Sequence, residues 1–256
     1  PVYNRQTVVI LSKYHPEAKI HIKIDSGMNR LGVMPNKVDD FIKVLKNYPR
    51  LNITGIYSHL SQADDPKANQ FTNKQIKKFK KAIHLFESAG IKFKWKHISA
   101  TTGSQVVNDS DFNLIRLGLG FYGLSPFLSL SKNDQKLKEN LNPALKFISH
   151  LIQIKQVPKE REISYGGIFT TKKKTKLGIL PLGYNEGLDR RLSNKGVVKI
   201  NNQYCSILGR VCMNLTIIDL SKIKNPKLHQ PVTIIDNKHQ SRNGIEKMAK
   251  ACNTIP

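Results

Sequence analysis

Isoleucines at positions 20, 22 and 24 alternate with His21 and Lys23, the period of two that a β-strand requires. Asp25, Ser26 and Gly27 stop the alternation, and Arg30 follows just beyond it. The period then changes. Over residues 37–47 the apolar Val38, Phe41, Ile42 and Leu45 recur at helical spacing, and Pro49 ends the run. A second strand is predicted over 53–58, with His59 at its end. A long amphipathic helix follows over 66–89, with Phe71, Ile76, Phe79, Ile83 and Phe86 inward and Gly90 as its C-cap. Residues 93–99 read as a strand running into Thr101, and 104–108 as a short helix. Residues 114–116 read as one more short strand, ending in Gly118, Leu119 and Gly120. Before all of these, Val8 to Leu11 is an apolar run too short to assign.

Strand and helix therefore alternate through the first half, with polar residues placed just after the strands. That is the grammar of βα units, and parallel strands follow from it. The texture changes in the polar, lysine-rich stretch 129–142. Afterwards short strands predominate, at 144–157, 176–181, 197–200, 204–207, 216–219 and 231–235, separated by Gly, Pro and Asn turns. A closing helix fits 244–251. The pattern predicts an α/β part over 1–138 and a mainly β domain over 139–256. A closed eight-stranded barrel needs about 250 residues, roughly twice what precedes the change of texture. The sheet is therefore open, or the first units of a barrel are missing.

Composition narrows the class. The chain has 256 residues, and no run of about 18 apolar residues that would cross a membrane occurs in it. No basic-then-apolar leader is visible. Three cysteines, Cys205, Cys212 and Cys252, form neither a CxxC pair nor an even set, which makes a reducing, cytoplasmic compartment the default. The formal net charge is +24, so a nucleic-acid partner has to be considered. The lysines are spread over almost every segment with no accompanying nucleic-acid-binding motif, so we read them as a solvated surface and expect no nucleic acid.

The candidate chemistry sits where the strands end. Lys23 with Arg30, then His59, Thr101, and Arg116 with Gly118 fall beyond four successive predicted strands, the edge at which α/β proteins bind ligands. Thr101 and the amides near Gly118 suit a phosphate, and Arg30 suits a carboxylate through bidentate hydrogen bonds. In the second half, Ser164-Tyr165-Gly166, Leu182-Gly183-Tyr184 and Gly209-Arg210-Val211-Cys212-Met213 are too specific for ordinary turns. Taken singly, His97 and Arg210 read as a satisfied strand-end histidine and a surface arginine.

In order along the chain, H-x-K-x-D-S-G-M-x-R-x-G at 21–32, G-I-Y-S-H at 55–59 and R-x-G-x-x-x-Y-G-L-S-P at 116–126 resemble the alanine racemases. So do S-Y-G at 164–166, L-G-Y-x-x-G at 182–187, R-x-L-S-N at 190–194 and G-R-V-C-M at 209–213. These are pyridoxal 5'-phosphate enzymes of fold type III, and the motifs cover nearly the whole chain. The resemblance implies a (β/α)8 barrel, of which only the C-terminal half is present, followed by the β domain. It also implies interconversion of L- and D-alanine by two-base proton transfer at Cα, which supplies D-alanine for peptidoglycan. The remaining implications are a homodimer whose subunits share active sites, and no membrane association.

Residue by residue, Arg116 resembles the arginine facing the cofactor's pyridine nitrogen. Thr101, Gly118 and Leu119 match the phosphate cradle, and His59 would bridge Arg116 and the catalytic tyrosine, which Tyr165 matches. Arg30 would hold the substrate carboxylate and the cofactor's phenolic oxygen. Lys23 is similar to the lysine that can carry a carbamate and orient that arginine. Tyr184 and Met213 match the tyrosine at the substrate's access route and a substrate-carboxylate contact. The family's Schiff-base lysine, also its second base, has no counterpart here, so we expect a fragment that starts after it, lacks a short tail and is inactive alone. Asn214 and Ala100 stand where the family usually has Asp and Asn. Three rivals stay open: a serine or broad-specificity racemase of the same fold, a non-catalytic pyridoxal-phosphate binder, and a basic nucleic-acid-binding protein.

Overall fold

A computed structural model of the chain describes residues 1–125 and 141–256. The predicted linker 129–142 and the domain boundary at 138/139 lie almost wholly outside the described residues. Two compact units result, one built on Pro1–Phe121 and the other on Tyr122–Leu124 together with 141–256. No described helix is long and apolar enough to cross a membrane.

The first unit is α/β. Its parallel sheet runs β1 (Lys19–Lys23), β2 (Asn52–Tyr57), β3 (Trp95–His97), in that spatial order. Between and before the strands come helices α1 (Arg5–Tyr14), α2 (Val38–Lys46) and α3 (Asn69–Ser88). The unassigned apolar run 8–11 is thus helical, started by Asn4, whose side chain accepts the Thr7 N–H at 2.8 Å. Because side chains alternate across a strand, the sheet has two unlike faces. Ile20, Ile22, Ile24, Ile56 and Ile98 are buried in one core with Val38, Phe41, Ile42 and Leu45 of α2 and Phe79, Ile83 and Phe86 of α3. His21, Lys23, Tyr57 and His97 alternate with those isoleucines and share the other face.

Two expectations change here. Phe71 is exposed (39%), because the inward stripe of α3 runs through Thr72, Gln75, Phe79, Ile83 and Phe86, and Phe71 lies one residue round the helix from it. Nor do residues 114–116 form a strand. The Asn113 side chain accepts from Lys96 N (3.0 Å) and donates to Lys94 O (2.8 Å), taking the place of ladder partners. Only the Asn113 and Arg116 N–H groups reach β3 and its extension, at Lys96 O and Ser99 O. A short helix, α4 (Gly103–Val106), stands between.

The second unit is antiparallel, as the pattern of short strands predicts. β4 (Phe147–His150), β10 (Pro231–Ile235), β7 (Val197–Ile200) and β8 (Gln203–Ser206) form one sheet. β5 (Gln153–Val157), β6 (Thr175–Leu180) and β9 (Thr216–Asp219) form a second. The single strand predicted over 144–157 is therefore two, broken at the buried Leu151, where the chain passes from one sheet to the other. Leu151, Leu180, Val198, Ile200, Ile218, Val232 and Ile234 fill the core of this unit. A terminal helix, α5 (Ile245–Ala251), packs Met248 against it.

Candidate active site

In the first unit the predicted residues gather at the carboxyl ends of the strands, and the turn after β1 explains how. Asp25 is buried, and its carboxylate accepts from the N–H groups of Gly27 (3.0 Å), Asn29 (3.0 Å) and Arg30 (2.9 Å). Three donors on one carboxylate fix the loop and set Arg30 at its tip, exposed. Gly32 closes the loop at φ 141°, where a Cβ would lie 2.4 Å from Asp25 N. Ser58 Oγ donates to Ile24 O (2.8 Å) and so accepts from Ser26 Oγ (2.7 Å), stapling the ends of β1 and β2 together.

Arg116 is the hub. Its Nη2 donates to Ser58 O (2.8 Å), Ile98 O (3.2 Å) and His59 Nδ1 (3.2 Å), and its Nη1 to His97 Nδ1. The guanidinium lies 5.0 Å from the centre of the Tyr57 ring, which stacks on His97. Its Nε–H and the second Nη1 hydrogen have no acceptor among the described residues. Burial lowers the Arg116 pKa, and burial with the nearby Arg116, Arg30 and Lys23 charges lowers that of His59. Lys23 is 8% exposed, and its Nζ lies 5.6 Å from the Tyr57 ring centre. Its pKa falls through burial first, then the positive charges of Arg30 and Arg116. Among the described residues no acidic group forms an ion pair with any of these three cations.

Beside this hub lies an open recess of about 350 Å³ lined by His59, Ala100, Thr101, Thr102, Arg116, Leu117, Gly118 and Leu119. Thr101 Oγ1 accepts from the N–H of Gly118 (3.0 Å) and of Gly120 (3.2 Å). A Cβ on Gly120 would come within 2.7 Å of the Thr101 methyl group. These two amides orient the Thr101 oxygen and leave its hydroxyl hydrogen to donate, so a hydroxyl donor and a cation meet at the recess, a set that fits a phosphorylated ligand with a ring acceptor.

Two residues of this site escaped the sequence reading. His97, 4% exposed, is bound to Arg116, and its Nε2 lies 3.0 Å from His21 Nδ1. Gln75 of α3, 1% exposed, donates to His59 O (3.2 Å) and accepts from Ser61 N (3.1 Å), holding the segment that carries His59. A glutamine one turn before Phe79 on the inward stripe of α3 was the available signal.

In the second unit Tyr165, Tyr184 and Met213 stand in loops joined to each other by backbone and side-chain bonds. Tyr165 follows Ser164, whose φ of 67° is unusual for serine and is held by an Oγ bond to Arg210 O (2.8 Å). A Cβ on Gly209 would sit 2.4 Å from Ile163 O, so the two loops meet too closely for any other residue. Tyr184 N donates to Cys212 O (3.0 Å) and Asn185 N to Met213 O (3.0 Å). The Glu186 carboxylate accepts from Gly183 N (2.7 Å) and from the Asn214 amide (2.7 Å), which lowers its pKa, the Asn214 bond being the larger cause. Tyr165, Tyr184 and Met213 remain exposed, at 72%, 47% and 53%.

Residues 3–126 match the family profile described as alanine racemase, N-terminal domain, and residues 144–256 that of the alanine racemase C-terminal domain. The chain is 34% identical to the alanine racemase of Leptospira interrogans over 259 residues, covering 99% of this chain and 66% of that protein. Against the alanine racemase of Borreliella burgdorferi it is 37% identical, covering 91% and 60%. The chain therefore spans just under two thirds of the length of these relatives. Among solved structures it resembles the Streptomyces lavendulae alanine racemase at a TM-score of 0.86 and 25% identity, covering 99% of this chain and 67% of that one. It also resembles the Bartonella henselae alanine racemase with covalently bound pyridoxal phosphate, at a TM-score of 0.76 and 25% identity, covering 99% and 67%.

Proposed function

The chain belongs to the alanine racemase family, and from that premise we propose that it carries the phosphate cradle, the pyridine-facing arginine and one catalytic base of a pyridoxal-5'-phosphate-dependent alanine racemase. The observation that carries this reading is Arg116, anchored by four hydrogen bonds with two donors spare and no carboxylate partner among the described residues, beside a Thr101 hydroxyl oriented by the Gly118 and Gly120 amides. On this reading 1–138 is the C-terminal half of a (β/α)8 barrel and 139–256 the β domain. None of these 256 residues matches the family's Schiff-base lysine, its second base.

Bound there, the cofactor supplies an electron sink that makes the substrate's Cα proton acidic. Thr101, Gly118 and Leu119 would hold its phosphate. Arg116, which stays protonated, faces the ring nitrogen without giving it a proton, so the sink is kept weak. An arginine at that position, rather than an acid that shares its proton, would favour return of a proton to Cα over side reactions. Arg30 would hold the substrate carboxylate and the cofactor's oxygen beside it, with Lys23 as the supporting residue. Because Arg116 donates to His59 Nδ1, neutral His59 carries its proton on Nε2. It can therefore donate to the oxygen of a tyrosine on its far side and favour the phenolate. Tyr165 of a second subunit is that tyrosine. It moves the proton on one face of Cα, with Tyr184 and Met213 framing the substrate. The working protein is a cytoplasmic homodimer that supplies D-alanine for peptidoglycan.

The test is exchange of the alanine α-proton in heavy water by the cofactor-loaded chain completed with the family's lysine-bearing segment, alongside Tyr165→Phe in the same completed protein. We expect racemisation by the parent, and in the variant a loss of about 10²–10⁴-fold with cofactor binding intact, the range for removing a positioned base. A loaded protein that exchanges no alanine proton, or a Tyr165→Phe protein of full activity, would sink the assignment. Serine exchanging faster than alanine would shift the substrate within the same mechanism.

A further inference from the structure

The sheet face that carries Lys23 and Tyr57 also carries two imidazoles with no place in the scheme above. His97 sits between Arg116 and His21, with Arg116 Nη1 on its Nδ1 and His21 Nδ1 3.0 Å from its Nε2. A guanidinium can only donate. The Nδ1 of His97 must therefore accept, and the ring's proton belongs on Nε2. That proton points at His21, so His21 Nδ1 must accept in turn and His21 keeps its own proton on Nε2. The same rule applied at Nη2 fixes His59. Each ring nitrogen is decided by one always-charged donor.

We propose that His97 and His21 are positioning residues for Arg116: the arginine drives a one-directional hydrogen-bond chain, Arg116 to His97 to His21, that locks both rings, like His59, in the neutral Nε2–H tautomer and in return fixes the guanidinium. The sequence is built for it. A register shift between Ile20 and His21 brings His21 opposite Gly55, where a Cβ would lie 2.7 Å from the imidazole. Gly55 is the space the His21 ring needs. Tyr57, two residues on, stacks on the His97 ring with planes 6° apart and centroids 5.0 Å apart, holding it from the side.

Of the groups around His97, Arg116 and His21 oppose its protonation, and no carboxylate among the described residues is a cause in its favour. β1 offers His21 and Lys23, β2 offers Tyr57 and the following His59, and the 113–118 segment offers Arg116. The nearest carboxylate in sequence to β1, that of Asp25, is already taken by three backbone N–H groups. Burial first, then Arg116 and His21, push the His97 pKa down to about 3. A second proton on either ring would turn an acceptor into a donor facing a donor and break the chain.

The bearing on catalysis rests on the function proposed above, whereas the tautomers do not, and the experiment separates the two. In protein labelled with ¹⁵N at histidine, we expect His97, His21 and His59 each to show a protonated Nε2 and a bare Nδ1 at pH 7. We also expect His97 not to titrate down to about pH 4. An Nδ1–H tautomer at His97, or its titration near 6.5, would overturn the proposal whether or not the protein racemises anything. His97→Gln can accept from Arg116 and donate to His21, and should keep His59 in its Nε2–H form. His97→Leu can do neither and should let His59 populate both tautomers, and in the chain completed with the family's lysine-bearing segment kcat should fall at least tenfold with KM little changed. An unaltered His59 spectrum in a folded His97→Leu protein also counts against the idea. Should that variant not fold, the parent and His97→Gln spectra decide it.

Discussion

Asn214 shows how much one atom can settle. Its amide donates to Glu186 Oε1 at 2.7 Å, and Glu186 in turn caps Gly183, the residue before Tyr184. Where the family usually has aspartate, asparagine lacks a charge. In the structure it completes the carboxylate that orders the Tyr184 turn. Asn214→Asp would set one carboxylate against another and remove the larger cause of Glu186's lowered pKa. We expect the Glu186 midpoint, followed by its carboxyl carbon resonance, to rise toward or above the ordinary carboxylate value, with lower activity at neutral pH. An unchanged midpoint would mean the contact does not persist in solution. The departure at Ala100 has no comparable partner in the structure.

Among the elements, the strand ends were legible because alternation and turn residues are local signals. The isoleucines of β1 and the Asp25–Gly32 turn could be read directly, and so could the stripe of α2. Two things were not. The bend at Leu151 divides an unbroken apolar run between two sheets, a decision made by packing against Leu180 and Leu220 rather than by local pattern. The segment carrying Arg116 has strand-like residues, yet the Asn113 side chain supplies the bonds a ladder would have made. His97 was invisible as a site residue for a related reason: its importance lies in a partner 19 residues away whose path follows no regular element. Gly55, by contrast, sits in a recognisable motif whose cause appears only in the β1–β2 register. Gly55→Ala should cost about 1–3 kcal/mol, the range for forcing extra atoms into a packed site, read as a shift in the denaturant midpoint. A neutral substitution would show that the His21 ring moves aside freely.

Across the molecule, each unit carries its own hydrophobic core, and the first also buries basic groups that gain nothing from being charged there. This gives its stability a pH dependence whose sign can be worked out. In the unfolded chain His97 takes up a proton near 6.5, and in the folded chain only near 3. Between those values the unfolded state holds more protons, so stability should fall as pH drops from about 6.5 toward 3, by of order a few kcal/mol. His21 and His59, also lowered, act in the same direction. Denaturant unfolding at pH 7 and pH 4.5 measures it, and His97→Gln should flatten the difference. Equal stability at the two pH values would contradict the buried, neutral imidazole.

The three cations at the strand ends also bear on how fast a ligand arrives. Among the described residues none of Lys23, Arg30 and Arg116 is ion-paired, so the positive field around Arg116 is only partly offset, by Asp25 beside Lys23, and reaches the recess that Arg116 lines beside Thr101. A dianion diffusing past is drawn in before it makes any contact, and added salt weakens that pull. The repulsion stored among three like charges thus becomes capture rate: the site is quickest to fill in dilute buffer, and it holds out little welcome to anything that arrives without negative charge.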